Sequence, residues 1–125
     1  MAEGVHAGKF FIPVLYEDNH LLVVVKPPNL PTQADRSGDD DLLCILKGYI
    51  GKKYQKPGNV YLGLVHRLDR PVGGAMVFAR TSKAAARLSK DFSAHAQDRR
   101  YLAVLQGHLE AERTLEDWLL KGADG

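Results

Sequence analysis

The chain has 125 residues and carries 17 Lys and Arg against 15 Asp and Glu, a formal net charge of +2. This length is typical of one domain with one core, and the near-neutral charge permits nucleic-acid binding without arguing for it. Hydrophobic residues at 45% and charged residues at 26% exclude a disordered or fibrous chain.

The cysteine and histidine content indicates the cellular compartment and the kinds of site that the chain can form. Cys44 is the only cysteine, and the five histidines lack metal-ligand spacing. An internal disulfide and a metal site built on these residues are therefore excluded. No apolar run approaches the roughly 20 residues that a membrane-spanning helix needs, and the N-terminus lacks the pattern of a secretory signal. We therefore expect a cytoplasmic protein without membrane contact.

The first predicted elements are two strands. Residues 10–15 and 21–26 are apolar, β-branched runs joined by the polar connection Tyr-Glu-Asp-Asn-His. That pattern predicts a β-hairpin. Three prolines follow within five residues and forbid regular structure, so residues 29–37 are expected to form a surface loop.

A helix is predicted next. One of three consecutive aspartates at 39–41 can cap it, and apolar residues recur at near-helical spacing from Leu42 to Ile50. Two lysines, a proline and a glycine end the pattern before residue 59. Cys44 lies within the apolar pattern and is expected to be a small core residue.

The second half of the chain predicts three strands and a helix. The first strand spans residues 60–69 and the second spans 75–79, with a proline and a Gly-Gly turn between them. Thr81 or Ser82 caps a helix that runs to about Ala96. A last strand is predicted over residues 101–109, and the apolar stretch 114–120 is expected to pack.

The resulting order is β-β-α-β-β-α-β, with no internal repeat and no strict alternation of strand and helix. It predicts an α+β fold in which a mixed, mostly antiparallel sheet carries flanking helices. Residues 1–125 are expected to form one domain.

Arg67 and Asp69 are the first candidates for chemistry. In an extended chain, residues two apart project to the same side, so both side chains would lie together just before a bend. A neighbouring arginine favours the ionised carboxylate that a nucleophile or charge-stabilising base requires. Taken alone, an Arg-x-Asp pair is far more often a structural ion pair, so the pattern by itself does not decide.

A longer stretch around this pair has a specific resemblance. Residues 63–81, GLVHRLDRPVGGAMVFART, resemble the signature of the RluA family of RNA pseudouridine synthases, with HRLDR as its core. Residues 15–27, 83–92 and 99–103 match further family motifs in the same order. The resemblance therefore covers about residues 12 to 120.

The resemblance implies a pseudouridine synthase-like fold and the conversion of specific uridines in structured RNA, ribosomal or transfer, to pseudouridine. It implies no metal and no organic cofactor. Asp69 would be the catalytic carboxylate, Arg67 would help to displace the target base, and Tyr101 would stack on it. Independently of the resemblance, strand alternation would point His66 away from Arg67 and Asp69, which favours a structural role that supports the loop. Arg70 is a further candidate for substrate binding, from its predicted place at the end of an element.

Base stacking alone would not carry RNA binding. Extruding a base costs a few kcal/mol, and one aromatic stack returns about 1–3 kcal/mol, so contacts with phosphates must add to it. A solvated side chain is the usual explanation for any single basic residue. The candidates are Lys26, Arg36, Lys52, Lys53, Lys56, Arg70, Arg99 and Arg100.

The C-terminus departs from the family pattern. The family's later motif supplies a second basic residue that pairs with the catalytic aspartate, and nothing in residues 114–125 resembles it. We expect a catalytic domain truncated at its C-terminus, by shortening for expression, by a partial or frameshifted gene, or as a natural short homologue. Such a chain is expected to have low stability or to self-associate.

Two other functions remain open. A non-catalytic RNA-binding fragment or homologue of the same fold would keep the basic surface without isomerising uridine. A hydrolase that uses Asp69 would need a second positioned acid or base, and the sequence offers no such partner at a diagnostic spacing.

Overall fold

The computed structural model describes residues 3–124, and its regular elements form one antiparallel sheet with two helices. The strands are β1 Gly4–Ala7, β2 Phe10–Glu17, β3 Leu21–Lys26, β4 Gly63–Leu64 and β5 Gly74–Ala79, and the helices are α1 Leu42–Lys53 and α2 Ser82–Ser93. The sheet order is β1-β2-β3-β5-β4. This confirms the predicted α+β class. Within residues 3–124, no helix is both long and apolar enough to span a bilayer.

The predicted hairpin is confirmed as β2 and β3, and its turn is fixed by one carboxylate. Asp18 accepts hydrogen bonds at 2.7 Å from the Tyr16 hydroxyl and from the backbone N–H groups of His20 and Leu21. These bonds, that from Tyr16 foremost, lower the pKa of Asp18. The hairpin places β3 between β2 and β5, where Leu22 and Val24 enter the core.

Strand β1 was not predicted. It pairs antiparallel with the start of β2, with Gly4 opposite Pro13 and Ala7 opposite Phe10. The turn that joins them contains Gly8 at a φ of 56°, a conformation that favours glycine. A strand of four residues with one large apolar side chain, Val5, has too short a pattern to be recognised without its partner.

Helix α1 begins where the sequence predicts. Asp41 is its N-cap and accepts a hydrogen bond from the Cys44 N–H at 3.1 Å. The buried stripe consists of Leu42, Leu46 and Ile50 at intervals of four residues. Cys44 is exposed, so its predicted place in the core is wrong, because it lies two residues from the start of that stripe and faces another direction.

The predicted strand over residues 60–69 is wrong except at Gly63–Leu64. These two residues pair with Ala79 and Phe78 of β5, and Val77 would be the next partner. However, the Val77 N–H donates to Nε2 of His66 at 3.0 Å. Since a side chain has taken that donor, the backbone pairing ends and the chain leaves the sheet.

The predicted strand over residues 101–109 is also wrong. Helix α2 ends at Ser93 rather than near Ala96, and no residue from 94 to 124 lies in a helix or strand. Alternating apolar residues become a strand only where a sheet edge pairs with them, and no described strand does so here. The stretch 114–120, expected to pack, is exposed.

Candidate active site

The candidate catalytic residue lies on a loop between β4 and β5, which we call the Asp69 loop (residues 65–73). Asp69 is exposed, whereas the preceding Leu68 is buried with the core. The Asp69 carbonyl accepts a hydrogen bond from the Val72 N–H at 2.9 Å, which turns the chain towards β5. The loop therefore presents a carboxylate to solvent from a backbone anchored by its neighbour.

Lys26, the last residue of β3, anchors the other side of Asp69. Its side chain is fully buried, and its Nζ donates to the carbonyl oxygens of Leu30 at 2.6 Å, Arg70 at 3.0 Å and Pro27 at 3.1 Å. Burial lowers its pKa, the charge of Arg70 lowers it further, and the charge of Asp69 opposes that shift. The prediction that Lys26 contacts phosphate is wrong, because its three donors are used inside the fold.

Arg70 joins the Asp69 loop to the loop that follows β3. Its guanidinium forms an ion pair with Asp39, lies 3.4 Å from Asp35 and donates to Asn29 O at 3.3 Å. These partners, Asp39 first, raise the pKa of Arg70. Two carboxylates therefore balance the charge of this predicted substrate-binding residue, and a role in RNA binding would require one of the pairs to open.

Arg67 and Tyr101 lie on one cavity of about 530 Å³. Its lining includes His66, Arg67, Leu68, Phe92, Arg99 and Tyr101, together with residues 72–75 and other residues of the segment 97–102. Known small-ligand pockets span about 300–1,000 Å³, so a nucleobase can be accommodated. The structure thus brings together the predicted base-displacing and stacking residues, which are 34 positions apart in the sequence.

Asp69 stands beside this cavity rather than on its wall. It follows the lining residue Leu68 but is not itself among the lining residues of the described chain. Within residues 3–124, Arg67 and Asp69 also form no ion pair. The expected strand does not extend to these residues, because β4 ends at Leu64, but Arg67 and Asp69 are both exposed on either side of the buried Leu68. That their side chains share one side stays a prediction.

His66 has the structural role that the sequence favoured. Its Nε2 accepts the Val77 N–H, and its ring stacks on Phe92 at 4.6 Å between centroids with 19° between planes. Burial lowers its pKa, and the charge of Arg99 lowers it further. A neutral imidazole is what an accepting Nε2 requires, so the electrostatics agree with the hydrogen bond.

Two buried residues near Asp69 were not recognised as supports from the sequence. Lys26 could have been found, because Leu22, Val24 and Lys26 alternate onto one buried face of β3. Thr32, which is 5% exposed and bonded to Leu68, gave no signal, because it lies in a proline-flanked loop without periodicity.

Comparison with known proteins identifies the family of the chain. A family model described as RNA pseudouridylate synthase matches residues 20–124. The human protein RNA Pseudouridylate Synthase Domain Containing 4 has a similar structure, with a TM-score of 0.56 and 26% identity over 66% of this chain and 30% of its own. The chain belongs to the RluA family of RNA pseudouridine synthases.

The curated relatives are much longer than this chain. Ribosomal large subunit pseudouridine synthase D of Xanthomonas campestris is 36% identical over 89% of this chain but only 34% of its own length. A Bacillus subtilis protein named uncharacterized RNA pseudouridine synthase YhcT is 33% identical over 82% of this chain and 33% of its own length. The tRNA pseudouridine synthase C of Haemophilus ducreyi is 28% identical over 88% of this chain and 43% of its own length. The chain spans about a third of the length of the first two.

Proposed function

We propose that this chain is part of a single catalytic domain that converts specific uridines in structured RNA to pseudouridine, with Asp69 as the catalytic carboxylate. The observation that carries the proposal is an exposed carboxylate on an anchored loop, next to a base-sized cavity on which Arg67 and Tyr101 meet. Relatives named for the large ribosomal subunit and for tRNA support ribosomal or transfer RNA as the substrate.

The reaction breaks the bond between the ribose and a uracil nitrogen, rotates the base and joins the same ribose carbon to carbon 5 of uracil. The hydrogen on carbon 5 leaves as a proton and the freed uracil nitrogen gains one, so the conversion is an isomerisation and needs no oxidant. A carboxylate can assist by attacking the ribose, by attacking the base or by removing a ribose proton. Each route releases the same proton.

Arg67 and Tyr101 would bind the displaced nucleotide. Tyr101 is 64% exposed and lies on the cavity wall, so its ring is accessible to an extruded base. One aromatic stack contributes about 1–3 kcal/mol, which only partly offsets the cost of extrusion. Arg67 would occupy the space that the base leaves, and phosphate contacts must supply the remaining affinity.

The best candidates for those contacts are lysines of α1 and the loop after it. Lys47, Lys52 and Lys56 line a depression of about 360 Å³ whose wall includes Gly48 and Gly51 and no carboxylate. Lys53 is a weaker candidate because it forms an ion pair with Glu17, and Arg100 likewise pairs with Asp98.

Lys52 and its ion-paired neighbour Lys53 allow the phosphate contact to be tested by the salt dependence of RNA binding. Lys52→Gln is expected to reduce the slope of log affinity for single-stranded RNA against log salt by about 0.7, the value for one lost phosphate contact. Lys53→Gln is the matched control, and its slope is expected to change little because Glu17 already balances that charge. Filter binding over a series of salt concentrations measures both. Equal slopes for Lys52→Gln and the unaltered chain would exclude this contact.

The isomerase proposal is tested with RNA labelled with tritium at carbon 5 of uridine. The gene product that contains this chain is expected to release tritium from ribosomal or transfer RNA. The main alternative, a non-catalytic RNA-binding protein of the same fold, predicts salt-sensitive binding and no release. Binding without release from either RNA would therefore reject the isomerase and support the alternative.

Self-association and a cytoplasmic location complete the proposal. Eight large apolar residues between positions 102 and 120 are exposed, among them Leu102 at 105% and Trp118 at 103%. Because exposed apolar surface of this extent promotes association, the 125-residue chain is expected to elute from size-exclusion chromatography above its monomer mass of 13.8 kDa. A well-folded monomer would contradict this. The cytoplasm is where ribosomal and transfer RNA would be met.

A further inference from the structure

Thr32 places a hydroxyl in the interior of a loop that has no regular structure. The side chain is 5% exposed. Its Oγ1 donates to the Leu68 carbonyl at 2.7 Å, and the Leu68 N–H donates back to the same oxygen at 3.4 Å. One side-chain atom therefore satisfies both backbone polar groups of the residue that precedes Asp69.

This arrangement replaces a missing strand partner. The pairing between β4 and β5 ends at Leu64, so the backbone of Leu68 has no ladder within the described chain to bind its polar groups. Buried backbone groups need partners, and the Thr32 hydroxyl supplies them. Because the Leu68 side chain is also buried, both parts of that residue are fixed.

Thr32 is itself held by a rigid element. Its carbonyl accepts the Leu43 N–H at 3.0 Å, and the carbonyl of the preceding Pro31 accepts the Leu42 N–H at 2.9 Å. Both donors belong to the first turn of α1, where N–H groups lack partners inside the helix. A continuous set of hydrogen bonds thus runs from α1 through Thr32 to Leu68.

We propose that Thr32 is a positioning residue, whose hydroxyl holds the Leu68 backbone so that the Asp69 carboxylate stays beside the cavity. This rests on the proposed catalytic role of Asp69. Thr32 touches no reacting atom, so its effect belongs to the geometry of the loop. A displacement of about 1 Å can reduce a rate about 100-fold, which makes one such hydrogen-bonded contact consequential.

The kinetic test uses two substitutions at this position and one elsewhere. Thr32→Val, which keeps the shape and removes the hydroxyl, is expected to lower kcat by about 10- to 100-fold with little change in KM. Thr32→Ser restores the hydroxyl and is expected to recover most of the rate. Thr81→Val is the matched control, because it removes the hydroxyl that caps α2 by accepting the Ala84 N–H at 3.1 Å, away from Asp69. Equal kcat in Thr32→Val and the parent, or an equal loss in all three variants, would overturn the proposal.

Amide hydrogen exchange tests the same idea without any activity. In the 125-residue chain, Thr32→Val is expected to speed exchange at Leu68 and Val72 by at least about tenfold while α2 exchanges as before. Thr81→Val is expected to speed exchange in the first turn of α2 and to leave exchange at Leu68 and Val72 unchanged. If the gene product releases no tritium, the isomerase proposal is rejected, but the role of Thr32 is not. If exchange at Leu68 is unchanged in Thr32→Val, the role of Thr32 is rejected, but the isomerase proposal is not.

Discussion

Replacing Asp69 by Asn is expected to abolish tritium release from uridine-labelled RNA while the fold and the RNA affinity remain. The substitution keeps the size of the side chain and removes its charge. Because a positioned acid, base or nucleophile contributes about 10²- to 10⁴-fold, we expect a loss of at least about 100-fold. Within residues 3–124, the Asp69 side chain forms no ion pair. Its loss should therefore change stability by no more than about 0.5 kcal/mol.

The control for this result is another exposed aspartate. Asp40 lies in the loop before α1, and Asp40→Asn makes the same chemical change away from the cavity. It is expected to retain full release. Thermal unfolding and RNA binding are measured for both variants, so that a folding defect is recognised. Release from Asp69→Asn equal to that from Asp40→Asn would reject Asp69 as the catalytic residue.

Replacing Lys26 by Met is expected to cause the largest loss of stability. The change removes the Lys26 donor from the carbonyl groups of Leu30 and Pro27 and leaves the Arg70 carbonyl with only the Asn29 N–H. Each buried polar group left unsatisfied costs about 1–3 kcal/mol, and relief from burying a charge offsets part of the sum. We expect a net loss of about 2–4 kcal/mol, which is large for a domain stabilised by about 5–15 kcal/mol.

Urea unfolding monitored by circular dichroism measures this loss, with Lys90→Met as the exposed control on α2.

The pH dependence of stability gives a second test of the buried lysine. Since burial lowers the pKa of Lys26 below its ordinary 10.5, the unfolded chain binds more protons than the folded chain between the two values. The free energy of unfolding should therefore rise with pH across that window, and this contribution should be absent from Lys26→Met. Identical pH profiles would contradict a buried, electrostatically strained lysine.

The elements that the sequence predicted well depend on local signals. The hairpin of β2 and β3 follows from two β-branched runs around a turn, and Asp41 and Thr81 cap their helices through side-chain oxygens that reach the next turn. These interactions join residues within a few positions of each other. Their patterns can therefore be recognised without knowledge of the rest of the fold.

The two strand predictions failed because strand formation depends on partners distant in sequence. The strand over 60–69 stops because the His66 side chain binds a donor on β5, 11 positions away. The strand over 101–109 does not form because no described sheet edge pairs with it. For the candidate site, the sequence offered Arg67, Asp69 and Tyr101 as candidates, but it did not indicate that Asp35 and Asp39 balance the charge of Arg70.

The supports of Asp69 come from one distant stretch, the end of β3 and the loop that follows it. Lys26 holds the carbonyl of Arg70, Thr32 holds both backbone groups of Leu68, and the Asn29 N–H donates to the Arg70 carbonyl at 2.8 Å. The two loops thus act as one unit despite a separation of more than 30 positions. A chimera that takes only the loop around HRLDR from a relative would lose the matched hydrogen bonds between the two loops. Loop exchange must therefore transfer residues 26–39 together with residues 65–73.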